Sequence, residues 1–450
     1  MNIYLYQLWR LADLLFLIGL AIALFLGSKV TPLLLVAGLL PIPFLLNALK
    51  NRHYHVSIWR LLVPFSLYFG YCLLTLFFFT GLEASDPRPV NPSLESYAIA
   101  IAMLAVGLIR GLQIRNLALL FRRVMPWLLV ACFIVLSYMM FAGIRDACRV
   151  RGLAPWPFIP ALLFSTLTFI CLVSWEKLTG AERWLRVALM AFSIVISTTY
   201  TGSRGVALAQ VGVFGVFLIL GFLPSLKGKI PSWYHLGLAA SAGLMVSFFI
   251  GVVTDCGPAS RFSSTFETLQ SMATQLTETE DQTAVNVDPA PETGEPFAAT
   301  SPAPETLAES NPSVAVTKDE AISHRLAMWE TSITAIKDSP IFGHGSLYLQ
   351  KLIHATYGYE HNHNQYLTWL VTGGVIQLTL GLIFLAIPWF VSKGLTAADR
   401  IMLTVGVSLF WGGAMMFDAF LNLKFYTHYL CLLSGLLYAL SNSMQDEGTR

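Results

Sequence analysis

The densest chemistry in the chain lies in Glu360-His361-Asn362-His363-Asn364-Gln365-Tyr366-Leu367, immediately ahead of a long apolar run. Ionisable groups at or in a bilayer are costly, about 2.5–3.5 kcal/mol for a charge at a helix centre, so such a knot needs an explanation. A helix cap with interfacial anchors is the plain one. The chemical one is a base: with a helix starting at Asn364, His363 is its N-cap. There the positive helix end disfavours imidazolium and keeps the ring neutral. His361 lies two residues further out and is more solvated. Ser203-Arg204-Gly205 likewise heads an apolar run, and free N–H groups reinforced by a guanidinium make a seat for phosphate. Arg325 edges an amphipathic stripe, where its guanidinium either reaches forward or is simply solvated. Asp418 closes another run as an interfacial cap, a sugar-orienting group or a partner for Arg204.

The elements that must position these groups follow from composition. With 450 residues, 55% of them hydrophobic and 12% charged, too much apolar surface would face water for a soluble domain. The expected fold class is an all-α polytopic membrane protein. Apolar runs near 12–27, 31–48, 58–82, 94–112, 124–142, 156–175, 184–200, 206–223, 235–254, 365–392, 400–418 and 425–442 predict about twelve transmembrane helices. Alternate loops carry Lys50, Arg52 and Arg60; Arg110, Arg115, Arg122 and Arg123; Lys177, Arg183 and Arg186; Lys227 and Lys229; Lys393 and Arg400. They outnumber the opposing Arg145–Arg151 loop, so both termini are expected in the cytoplasm and every candidate site residue outside. The first run lacks a small-x-small cleavage site and reads as a retained anchor.

Three regions follow: 1–254 with nine spans; 255–363 as an extracytoplasmic loop before the tenth span; and 364–450 with three more and a cytoplasmic end. Within the loop, 274–316 is rich in Thr, Pro, Ala and Glu and is expected to be disordered. Residues 319–338 predict an amphipathic helix burying Ile322, Leu326, Trp329, Ile333 and Ile336, opened by a Thr317–Glu320 capping box. Gly343-His344-Gly345 predicts a turn back toward the membrane. Cys148 and Cys256 share the outer side and can form a disulfide there. No phosphate-binding Gly-x-x-x-x-Gly-Lys run, Cys-x-x-Cys or His-Glu-x-x-His occurs, so neither nucleotide fuel nor a dedicated metal is expected.

Thr199-Tyr200-Thr201-Gly202-Ser203-Arg204-Gly205, His324-Arg325-Leu326-Ala327-Met328-Trp329-Glu330 and His363-Asn364-Gln365-Tyr366-Leu367 with Gly373-Gly374 together resemble the bacterial O-antigen ligases, which share a superfamily with the O-antigen polymerases. The resemblance implies a GT-C-like, metal-independent, inverting glycosyltransferase without cofactor in a Gram-negative inner membrane, its site facing the periplasm. The implied donor is a glycan on undecaprenyl diphosphate and the implied acceptor the lipid A core. Arg204 and Arg325 would bind the diphosphate and His363 would activate the acceptor hydroxyl, with Ser203, Asn364, His361 and Asp418 as accessory residues. A polymerase joining lipid-linked repeats is the nearer alternative. A non-enzymatic lipid or glycan transporter is the more distant one.

Overall fold

The computed structural model describes residues 58–80, 90–113, 158–200, 203–254, 320–359, 361–422 and 424–448, together with residues 15, 34, 126, 130, 133, 134, 137, 138 and 141. No strand occurs among them. The expectations for 274–316, for the Cys148–Cys256 pair, for the capping box at Thr317 and for most of the spans near 12–27, 31–48 and 124–142 lie outside the described residues. The chain divides into Met1–Pro258 with Ala327–Arg450, and Ala259–Leu326.

In the larger unit, α1 (Trp59–Thr80), α2 (Val90–Gln113), α3 (Phe158–Cys171), α4 (Gly180–Val195), α5 (Arg204–Gly221) and α6 (Trp233–Thr254) occupy the predicted apolar runs. After them come α7 (Glu320–Asp338), which begins in the smaller unit, then α8 (Ser346–Tyr357), α9 (Gln365–Leu385) and the short α10 (Ile387–Val391). Residues 397–415 are one helical stretch, α11 (Ala397–Leu403), a π-helical segment Thr404–Leu409 and α12 (Phe410–Met415), and α13 (Lys424–Gly448) ends the described chain. Four described segments are long and apolar enough to cross a membrane: Trp59–Leu76, Arg204–Gly221, Trp233–Val252 and Gln365–Leu385. This is a membrane protein. On α6, Met245, Phe248, Phe249 and Val252 are exposed, as residues facing acyl chains should be.

Between helices that all present apolar surface to lipid, hydrogen bonds and close contacts fix the arrangement. Gln210 on α5 donates to Ser165 Oγ on α3, and Trp411 Nε1 on α12 donates to Thr166 Oγ1 at 3.0 Å. Tyr68 on α1 stacks on Phe384 with centroids 4.8 Å apart and accepts from Trp369 Nε1 at 3.1 Å, joining α1 to α9. Arg186, counted above as a loop cation, is instead buried on α4, with its guanidinium on the carbonyls of Cys171 and Val173. It satisfies carbonyls left open where α3 ends.

The face that α7 buries also differs from the predicted one. Met328, Ser332 and Ala335 are buried, whereas Leu326 and Ile333 are exposed. Met328 and Ala335 pack with Leu349 and Ile353 of α8 and with Val371 of α9. Ser332 Oγ accepts from Asn362 Nδ2 at 3.0 Å, so a polar anchor chooses this face over the more apolar one.

Inside α9 the helix breaks at Gly373–Gly374, and Gly374 has φ 64° and ψ −162°, a region open essentially only to glycine. The turn after α7 fills the break. His344 N and Gly345 N donate to the carbonyls of Val371 and Thr372 at 2.7 and 2.9 Å, and Val375 N donates to Pro340 O at 2.9 Å. Tyr71 OH donates to Gly373 O at 3.0 Å.

Candidate functional site

The site forms where the connection after α8 enters α9. The helix begins at Gln365, one residue later than the base reading assumed, and its N-cap is Asn364, not His363. Asn364 Oδ1 accepts from Tyr366 N at 3.0 Å and Leu367 N at 3.1 Å. A short amide reaches these two amides from the cap position more readily than an imidazole, so His363 moves one place outward. It adopts φ 54°, a left-handed conformation uncommon outside glycine that persists only where surroundings hold it.

Those surroundings are dense. Asn362, fully buried, accepts from Asn364 N at 3.2 Å and Thr368 Oγ1 at 2.8 Å through Oδ1, and donates from Nδ2 to Ser332. Its carbonyl accepts from Trp329 Nε1 at 2.9 Å. This residue ties α7 to the entrance of α9 and was missed as a site residue, because an asparagine in a polar run carries no sign of burial. One turn on, Gln365 Oε1 accepts from Leu421 N at 2.8 Å and Tyr366 OH donates to Gly412 O at 2.7 Å. The entrance of α9 is thereby fastened to the segment that carries Asp418.

Asp418 lies in the connection between α12 and the short 3-10 turn Phe420–Asn422, and it is buried. Its Oδ1 accepts from Ala419 N at 2.8 Å, from His361 Nε2 at 3.1 Å and from His363 Nδ1 at 3.2 Å. Burial pushes this carboxyl up, but the hydrogen bonds and charges of the two histidines together outweigh it and hold Asp418 well below the usual carboxylate range. The histidine rings lie 4.4 Å apart and are half-buried, and Tyr359 meets the His363 ring edge-on at 5.5 Å. With Nδ1–H engaged by the carboxylate, the neutral form of the His363 ring has its lone pair on Nε2, which has no hydrogen bond among the described residues. His361, His363 and Asp418 also form a three-donor set, with the donor atoms all within 4.8 Å of one another. The sequence motifs for metal binding do not cover such a set, since Asp418 arrives from a connection 55 residues away from His363.

Arg204 is the first residue of α5 and is half-buried, behind Ser203 at the N-cap. Ser203 offers no side-chain cap, and its amide donates to Ser197 O at 3.2 Å. Gly205 brings this turn to the site. A Cβ there would lie 2.4 Å from Cβ of Phe417, the neighbour of Asp418, so only glycine allows the approach. The entry turn of α5 thus packs against the residue before Asp418, and His361 and His363 meet Asp418 itself. Arg325 is half-buried in the opening turns of α7, within the Ala259–Leu326 unit.

The family model described as O-Antigen ligase matches residues 187–386, which include α5, its entry turn, α7 and the His361–Gly374 stretch. Over that stretch the chain is similar to the O-antigen ligases. That family consists of membrane glycosyltransferase-type enzymes of the O-antigen ligase/polymerase superfamily. No curated protein matches the chain.

Proposed function

We propose that this protein is an O-antigen ligase of twelve-span, GT-C-like topology in a Gram-negative inner membrane, transferring a glycan from undecaprenyl diphosphate to the lipid A core on the periplasmic side. The observation that carries the reading is the His363 ring anchored through Nδ1 on Asp418, which leaves Nε2 as a proton acceptor. The acceptor hydroxyl attacks the anomeric carbon from the face opposite the diphosphate, and Nε2 takes its proton. The carbon–oxygen bond to the diphosphate breaks with its electron pair going to the leaving group. Asp418 stabilises the imidazolium as it forms, as a triad carboxylate does.

Charge growing on the departing diphosphate is met by Arg204 at the start of α5, where the helix N-terminus adds its own positive end. Arg325 is given the same task on the motif match alone. Two guanidinium groups supply the electrostatic work of a metal, so the reaction needs neither metal nor cofactor.

The lipopolysaccharide banding of a deletion strain separates the readings. Loss of a ligase leaves unmodified core and accumulates long lipid-linked polymer. Core bearing one repeat identifies a polymerase, and donor stranded on the cytoplasmic side identifies a transporter. Either of those results overturns the ligase assignment.

A further inference from the structure

We propose that His361, His363 and Asp418 bind a divalent transition metal of the Zn2+ type, and that occupancy switches transfer off. Two ring nitrogens converge on one carboxylate oxygen at 3.1 and 3.2 Å. Ligand atoms around a tetrahedral zinc, each about 2.0–2.1 Å from the ion, stand about 3.3 Å apart. The two nitrogen–oxygen spacings therefore already match, and the nitrogens, within 4.8 Å of one another, need only a small ring rotation. Imidazole nitrogens with one carboxylate select zinc, nickel or copper over magnesium or calcium, which prefer all-oxygen sets. Both rings are partly exposed, so a hydrated ion can reach them and keep a water as its fourth ligand.

The off-switch follows from the tautomer. A neutral imidazole has one N–H; now it is on Nδ1, donated to Asp418. An ion on Nδ1 moves that hydrogen to Nε2, the atom that must accept the acceptor's proton. Atoms and charge balance without release of the ring's proton, and the base is lost while the site stays assembled. This half of the inference rests on His363 as the base; the metal site itself does not.

The test uses the full chain in detergent, stripped of metal. Binding of Zn2+ is measured by equilibrium dialysis, and Co2+ serves as a visible-absorption reporter of imidazole ligation. One Zn2+ per chain is expected, with Asp418→Asn and His361→Gln each weakening it by more than the roughly 10–100-fold typical of losing an outer-shell partner. His361→Gln alone suffices should Asp418→Asn fail to fold. Transfer should fall over the concentrations that fill the site and return on adding EDTA. In His361→Gln, the same concentrations should no longer suppress whatever transfer that variant retains. No stoichiometric Zn2+, or variants that bind as tightly as the parent, overturns the metal site and leaves the base reading standing. Zn2+ that fills the site while transfer continues overturns the switch and removes His363 Nε2 as the base.

Discussion

Replacing Asp418 tests how the His363 ring, the proposed base, is oriented and how its charge is stabilised, because its two useful substitutions separate these effects. Asn keeps an oxygen able to accept from Ala419 N, His361 Nε2 and His363 Nδ1, so geometry and tautomer survive while the negative charge goes. Unit charges about 4 Å apart attract by about 4 kcal/mol at an effective dielectric of about 20, and a ring nitrogen 3.2 Å from the carboxylate oxygen is in that regime. With the proton about half transferred in the transition state, about 2 kcal/mol is lost, or roughly 30-fold in turnover. Ala removes the acceptor altogether. The ring is then free to choose its tautomer and rotamer, and loss should approach the roughly 10²–10⁴-fold of a missing base. The assay is single-turnover transfer by purified, folded variants with saturating donor. Asp418→Ala within about threefold of the parent, or Asp418→Asn worse than Asp418→Ala, would refute the argument.

In the same assay, we expect His363→Ala to lose roughly 10²–10⁴ in turnover with donor binding retained, and His361→Ala to lose much less; the reverse order would move the base two residues. Arg204→Ala and Arg325→Ala should each cost about 2–4 kcal/mol of transition-state stabilisation, and Lys should restore only part, since a point charge cannot replace a bidentate fork; full activity of both Lys variants would disprove bidentate binding. Gly374→Ala would place a Cβ 2.0 Å from Ile341 O on a glycine-only backbone, so thermal stability in detergent should drop by about 3 kcal/mol or more, and an unchanged melting curve would contradict the described break. Removing 274–316 behind a short Gly/Ser linker should leave transfer largely intact, and its loss in a stably inserted variant would make that segment functional.

What the sequence revealed and what it hid divide along physical lines. The positions of the described helices were legible because a membrane demands long apolar runs, whereas the run at 365–392 gave no account of the break at Gly373–Gly374. The entrance of α9 was legible to within one residue, and the error came from giving the cap to His363 when Asn364 holds it better. The Asp418 contact was not legible, because 55 residues separate it from His363 and no local spacing encodes their meeting. Likewise the buried face of α7 follows Ser332 and its bond to Asn362, which apolar periodicity cannot register.

The turn seated in the α9 break has a mechanical consequence. Carbonyls of Val371, Thr372 and Gly373 and the amide of Val375 are exposed by the break and answered by His344, Gly345, Tyr71 and Pro340. Pulling the turn away would strand several backbone groups where water is scarce, at several kcal/mol each. The turn therefore works as a pivot pin, and α9 and residues 339–345 should travel as one piece. Any opening near the entrance of α9 should therefore leave this turn and the helix moving together.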